Sequence, residues 1–368
     1  MKGQSTEERA VHDQSFPGKI AVVTVLPSII EDDFHSVDYL VAKYGKEKIL
    51  HITWPENIMT EQDKVIDTVA ALAQDREIKV LILNQAIPGS NAAVDKFKKT
   101  RNDVFIIYCT IHEQAVDAVR RANLLLRLNE LGIGPEMVKQ ARKQGAKAFV
   151  HYTFPRHMEV KQYYERRDTI RKTCAAEGLQ YVDAEALDPA GKSGIKSAQR
   201  FILEDVPKFV AKYGKDTAFF ATCCQLQASL IKAVVECRAI YPQPCCPSPS
   251  HGFPEALCID KDRSWSDLHY LIGEASRIAG EKNMTDRLST WPVSASTMFT
   301  SAGAEYAIKW INGEVLKTSI DEDALVDCMN DFIENAVGEK SCIFLDSYSE
   351  GGIKYHNYKL VLMGYLDF

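Results

Sequence analysis

No apolar run in this chain approaches the ~20 residues that a membrane-crossing helix needs, so no segment reads as a span. There is no basic face either. The 44 lysines and arginines stand among 50 acidic residues for a formal charge of −6, and the two signs interleave, as in Glu165-Arg166-Arg167-Asp168. A nucleic-acid binder has to neutralise phosphates with a concentrated positive surface, so that class is disfavoured. Common catalytic signatures are also missing: paired Cys-x-x-Cys, His-Glu-x-x-His and Gly-x-Ser-x-Gly do not occur. Ala190-Gly191-Lys192-Ser193 ends like a phosphate-binding loop, but Ala186 stands where its first glycine is required. Gly132-Ile133-Gly134 lacks the third glycine of a dinucleotide fingerprint and reads as a turn. The expectation is a protein without catalytic residues, cofactor or metal.

What is present is a rhythm. From Lys19 to Tyr108 short apolar runs alternate with amphipathic segments, and the alternation resumes between Ala146 and Ile259. Strand-helix alternation builds a parallel sheet covered by helices on both faces, so the fold class is α/β. With roughly 150 residues per domain as a guide, 368 residues predict two Rossmann-like lobes. Residues 18–128 plus 294–337 are assigned to an N-terminal lobe and 129–293 to a C-terminal lobe. Residues 338–368 are read as a β-rich tail and 1–17 as a flexible, polar leader without a hydrophobic signal core or lipid-attachment cysteine. Within this scheme 33–44 is expected to be one helix, 256–259 a short strand and 265–279 a helix, and Ser90 or Asn91 is the expected cap of the helix after Pro88-Gly89.

Sheets of this kind hold their ligands at the carboxyl ends of their strands. In the first lobe these ends carry Ser28, Asn84, Gln85, Thr110, His112 and Glu113. In the second they carry Thr153, Phe154, Arg156, His157, Thr222, Cys223, Ser248 and Ser250, with Trp291 at a later crossing. Donors, acceptors, aromatics and one arginine therefore converge on a cleft expected between the lobes. Duller roles stand beside these: Ser28 and Asn84 as helix caps, Phe154 as packing, and Arg156 as the surface partner of Glu159. The vicinal pairs Cys223-Cys224 and Cys245-Cys246 are read chiefly as two or three buried thiols with one partly exposed, with soft-metal or cluster binding as the alternative.

Several strings resemble a family of bacterial lipoproteins known only as a domain of unknown function, itself similar to the type 1 periplasmic-binding proteins. They are Asn84-Gln85-Ala86-Ile87-Pro88-Gly89, Phe154-Pro155-Arg156-His157-Met158, Tyr213-Gly214-Lys215-Asp216-Thr217-Ala218-Phe219-Phe220 and Ser289-Thr290-Trp291, and the likeness runs roughly from Gly18 to Gly313. Where relatives tend to have Thr-Asn-Asp after the strand ending in Phe220, this chain has Thr222-Cys223-Cys224. The resemblance implies a solute-binding protein that takes a small polar organic molecule for an ABC-type transporter or a sensor, with a membrane permease as partner. Its location is then extracytoplasmic and lipid-anchored if an export signal has been trimmed away, and cytoplasmic otherwise. Two alternatives are the effector-binding core of a LacI-like regulator without its DNA-binding module, and an enzyme using Cys223 with His157 or His251 as base.

Overall fold

The computed structural model describes residues 16–260, 263–264 and 267–368. Nearly all of the expected leader lies outside this range, as do Trp265 and Ser266 of the expected 265–279 helix, which is seen as Leu268–Glu281. The chain forms two compact units: one comprises the chain up to Arg127 with 299–328 and 347–359, the other 128–298, 329–346 and 360–368. Their boundaries run through the helix Glu322–Val337 and through both long strands of the tail, where unbroken lobe boundaries were expected.

In the first unit β1 (Lys19–Thr24), β2 (Ile49–Thr53), β3 (Ile78–Leu83), β4 (Phe105–Cys109) and β5 (Leu124–Leu128) lie in the order β5-β4-β3-β1-β2, with parallel pairing. The central strands are covered on both faces, which is why β3, rich in Ile, Val and Leu, and β4, with two Ile among Phe, Tyr and Cys, are apolar almost throughout. Helices Gln62–Ala71 and Ser90–Lys98 turn Val65, Val69, Ala93, Val94 and Phe97 inward. In Ala295–Asn312 a glycine permits close approach, since a Cβ on Gly303 would lie 3.2 Å from the Ile107 side chain.

The expected helix at 33–44 is two helices, Glu31–His35 and Asp38–Tyr44. Ser36 ends the first by donating its hydroxyl back to the Asp33 carbonyl at 2.6 Å, an alternative to the helical ladder that serine readily offers. The tail does not stand apart: β10 (Ile343–Glu350) and β11 (Ile353–Met363) extend the same sheet beyond β5, giving seven strands. This covers what would have been a bare strand edge. Asn357 ties the new strand down by donating to the Val119 and Ala122 carbonyls at 3.0 and 3.1 Å.

The second unit is built on β6 (Ala148–Thr153), β7 (Gln180–Glu185) and β8 (Thr217–Ala221), parallel in the order β7-β6-β8. Single bridges from Ala218 to Ile240 and from Tyr241 to Leu288 continue the edge. The short β9 (Ser289–Thr290) pairs antiparallel with β12 (Leu366–Asp367). Its core packs Tyr152, Phe219, Leu230, Val234, Phe253 and Leu271. The strand expected at 256–259 is instead the end of a helix, Phe253–Leu257, because Pro254 suits a first helical turn and Gly252, at φ +86°, supplies the bend into it.

Candidate functional site

Strand order reverses between β1 and β3 in the first unit, the place where doubly wound sheets open a crevice at their carboxyl ends. A polar chain occupies it. The Gln85 amide donates to Asp33 Oδ2 at 2.5 Å, so its oxygen faces the other way and accepts from His112 Nε2 at 2.7 Å. That pairing places an imidazole proton on Nε2, while partial burial, and secondarily Arg127, lowers the His112 pKa. The Trp54 indole anchors the same residue by donating to the Gln85 carbonyl at 3.1 Å. Beside it Asn84, fully buried, donates to Thr300 Oγ1 at 2.8 Å and to Ser36 Oγ at 3.2 Å, and Thr24 Oγ1 lies 2.8 Å from His51 Nε2.

Other expected residues of this unit have different work. Glu113 accepts from the backbone N–H of Gly89 and of Asn91, both at 2.9 Å, and so caps the helix that begins at Ser90. The expected caps Ser90 and Asn91 lie inside that helix, behind Gly89 at φ +100°. A carboxylate at a helix N-terminus is stabilised by the exposed N–H groups and the helix dipole, so Glu113 is engaged there. Thr110 adopts φ +44° directly after β4, and Ser28 is exposed in the turn after β1.

In the second unit the carboxyl ends of β6 and β8 form the corresponding place. His151 is fully buried between Thr222 Oγ1, 2.7 Å from Nε2, and the Tyr181 hydroxyl, 3.3 Å from Nδ1. Burial pushes its pKa down to about 3, with Arg166 and Arg167 adding to the effect. Phe154 is buried with its ring centroid 4.0 Å from that of His157, and Arg156 lies over the other part of the same group, 5.3 Å from the Phe154 centroid. Arg156 pairs with Asp188 rather than with Glu159: Nε and Nη2 donate to its two carboxylate oxygens at 2.8 and 2.9 Å. His157 Nδ1 is buried with no hydrogen-bond partner among the described residues. Thr153 and Trp291 are buried, and Ser248 and Ser250 hydrogen-bond to each other at 2.8 Å.

Of the vicinal cysteines, Cys223 and Cys245 are buried as the sequence suggests, and three of the four come together. Cys224 and Cys246 are exposed, and Cys224 Sγ stands 3.3 Å from Cys245 Sγ and 3.7 Å from Cys246 Sγ. Hydrogen bonds from Cys245 and Cys246, with Arg166 nearby, hold the Cys224 thiol well below its ordinary range. Cys223 behaves oppositely: it is buried, and burial raises its pKa. Sequence reasoning also missed Asp33, His51 and Asp188, which lie on neighbouring segments rather than in the strand-end strings. The signal for the thiol group was there in the prolines flanking Cys245-Cys246, which rigidify a loop.

Residues 18–289 match the model of a family described as protein of unknown function (DUF3798). Two uncharacterised proteins of Treponema pallidum (strain Nichols) are similar: one is 29% identical over 39% of this chain and 65% of its own length, the other 31% identical over 45% and 77%. The chain thus spans just under two thirds of the first. Among solved structures, a protein of Clostridium difficile 630 provisionally described as a transcriptional regulator superposes with a TM-score of 0.84 at 22% identity, over 96% of this chain and 100% of that one. A sugar ABC transporter protein of Actinomyces odontolyticus gives 0.53 at 9% identity over 81% and 84%. The substrate-binding protein of a sugar ABC transport system of Bordetella parapertussis gives 0.50 at 12% over 95% and 89%. At such identities these likenesses show the fold: an α/β architecture of the periplasmic-binding-protein kind.

Proposed function

We propose that this chain, which belongs to the DUF3798 family of proteins of unknown function, reversibly binds a small polar organic molecule as the receptor of an ABC-type transporter or sensor. The observation that carries the reading is the Asp33–Gln85–His112 chain of hydrogen bonds at the point where strand order reverses between β1 and β3. It presents a buried carboxylate, an amide and an imidazole, a set suited to hydroxyl and amine groups rather than to apolar surface. In the other unit the Arg156–Asp188 fork, stacked over the buried Phe154 ring, offers a planar donor. Substrate binding by the Bordetella neighbour supports the same class of function, and an extracytoplasmic location with a membrane permease as partner is proposed with it. None of the helices among the described residues is long and apolar enough to cross a membrane.

A second reading is favoured by the Clostridium difficile neighbour: the same fold senses an effector for a transcriptional regulator. The two readings share the ligand and differ in the partner. A thermal-shift screen of sugars, nucleosides, amino acids and short peptides tests what they share, with a raised midpoint expected for one chemical class. Pull-down with a permease against binding to duplex DNA then separates them.

A further inference from the structure

Beyond the organic ligand, and independently of it, we propose that Cys224, Cys246 and His251 form a binding site for one thiophilic divalent cation of the zinc type. Their two Sγ atoms and the imidazole nitrogen all lie within 4.8 Å of one another. A tetrahedral zinc ion with bonds of about 2.3 Å to sulfur and 2.0 Å to nitrogen holds its ligand atoms about 3.5 to 3.8 Å apart. The Cys224–Cys246 separation of 3.7 Å already has that value. Three protein ligands leave a fourth position for water or for a donor atom of a bound molecule. Cys245, buried at 3.3 Å from Cys224 Sγ, supports the set through a thiol hydrogen bond.

The surrounding chain is built to keep these groups in place. Cys245 and Cys246 sit in Pro242-Gln243-Pro244-Cys245-Cys246-Pro247-Ser248-Pro249, whose prolines fix φ and lower the entropy cost of holding two adjacent thiols in one orientation. Gln227 pins the Cys224 side by donating to the Ala221 and Cys223 carbonyls at 2.9 and 2.6 Å, and Tyr241 donates to Gln227 in turn. His251 is carried against the helix Gln227–Cys237 because Gly252 packs so closely that a Cβ there would lie 3.1 Å from the Ala228 nitrogen. Two thiolates balance a divalent charge, and the neighbouring Arg166 already has Glu130 as its partner at 2.8 Å. The cluster follows β8 directly, at the carboxyl end of the second unit's sheet.

The test uses the full chain, purified with a non-thiol reductant and titrated with Co2+ and then Zn2+. The expected result is one equivalent of Co2+ giving thiolate-to-metal charge-transfer absorption, bleached by one equivalent of Zn2+. Zn2+ should also protect Cys224 and Cys246, mapped by peptide mass, from alkylation, a readout that needs no variant. C224S/C246S should abolish uptake, His251→Ala should weaken it at least about tenfold, and C258S/C342S, which removes exposed thiols elsewhere, should leave it unchanged. Metal uptake equal in C224S/C246S and the parent overturns the site. So does a Cys224–Cys245 disulfide in protein purified without reductant, combined with no uptake after reduction. Loss of the site would leave the organic-ligand reading standing, because the Asp33–Gln85–His112 cluster contains none of these residues.

Discussion

Arg156 and Asp188 meet as a bidentate fork, Nε to Oδ2 at 2.8 Å and Nη2 to Oδ1 at 2.9 Å, across 32 residues of sequence. The pair lowers the Asp188 pKa to about 2 and fixes a planar cation beside the Phe154 ring. Both partners reach solvent, so the pair contributes orientation more than stability. Arg156→Lys keeps the charge and loses the fork. Affinity for a ligand identified by screening should fall about tenfold, the scale of one charged hydrogen bond lost, with an unchanged melting temperature. Calorimetric titration decides it, and equal affinity would reduce Arg156 to a surface ion pair.

Gln85 is the hinge of the polar chain in the first unit, joining Asp33 to His112. Gln85→Ala should cost about 1 to 2 kcal/mol of stability through the lost bond to a buried carboxylate, and at least tenfold in ligand affinity. Gln85→Glu should be worse in both, since it sets two carboxylates face to face. Chemical denaturation and titration of the two variants measure each effect. A variant with parental affinity would remove this cluster from the binding site.

Acid sensitivity should arise partly at His151. Its folded pKa is pushed down to about 3, whereas the unfolded ring takes up a proton near pH 6.5. The contribution of the neutral buried ring is therefore complete above pH 6.5 and is lost as pH falls toward 3, by at most about 1.4 kcal/mol per pH unit. His151→Gln, which retains a hydrogen-bonding group for Thr222, should flatten that part of the stability profile. Denaturation midpoints at pH 7, 6, 5 and 4 supply the test.

Arg101 has a fully buried side chain that donates to the Asp75 and Ile78 carbonyls at 2.7 and 2.6 Å and pairs with Asp103. Arg101→Met fills much of the volume and leaves these carbonyls without their donor. A loss of about 2 to 4 kcal/mol in stability should follow, with ligand affinity intact, because the guanidinium sits at the amino ends of β3 and β4 and away from the strand ends that carry Gln85.

The α/β class and most strands were legible because apolar runs bounded by turn residues report burial on both faces of a sheet. The strands at 19–24 and 78–83 needed nothing more. Side-chain competition with the backbone was less legible: Ser36 breaks a helix that the apolar spacing of 33–44 alone would continue. Phe253–Leu257 was misread for a related reason, since a short apolar stretch does not distinguish strand from helix until its flanking Gly252 and Pro254 are given weight. At the candidate site the strand-end strings pointed to Gln85, His112 and Arg156. Their partners Asp33 and Asp188 come from helix and loop segments that only the fold brings near. Glu113 shows the limit in the other direction, as a strand-end carboxylate whose work is to cap a neighbouring helix. The thiol group was split in sequence by 21 residues and assembled by the return of the chain beside β8.

Native mass spectrometry of the protein purified without refolding, before and after incubation with pooled sugars, nucleosides, amino acids and short peptides, decides whether the chain is a receptor for a small organic molecule. A discrete complex of one chain with one small polar organic molecule is expected, lost on denaturation and much reduced in Gln85→Ala. Masses equal to the bare chain under every condition would contradict it.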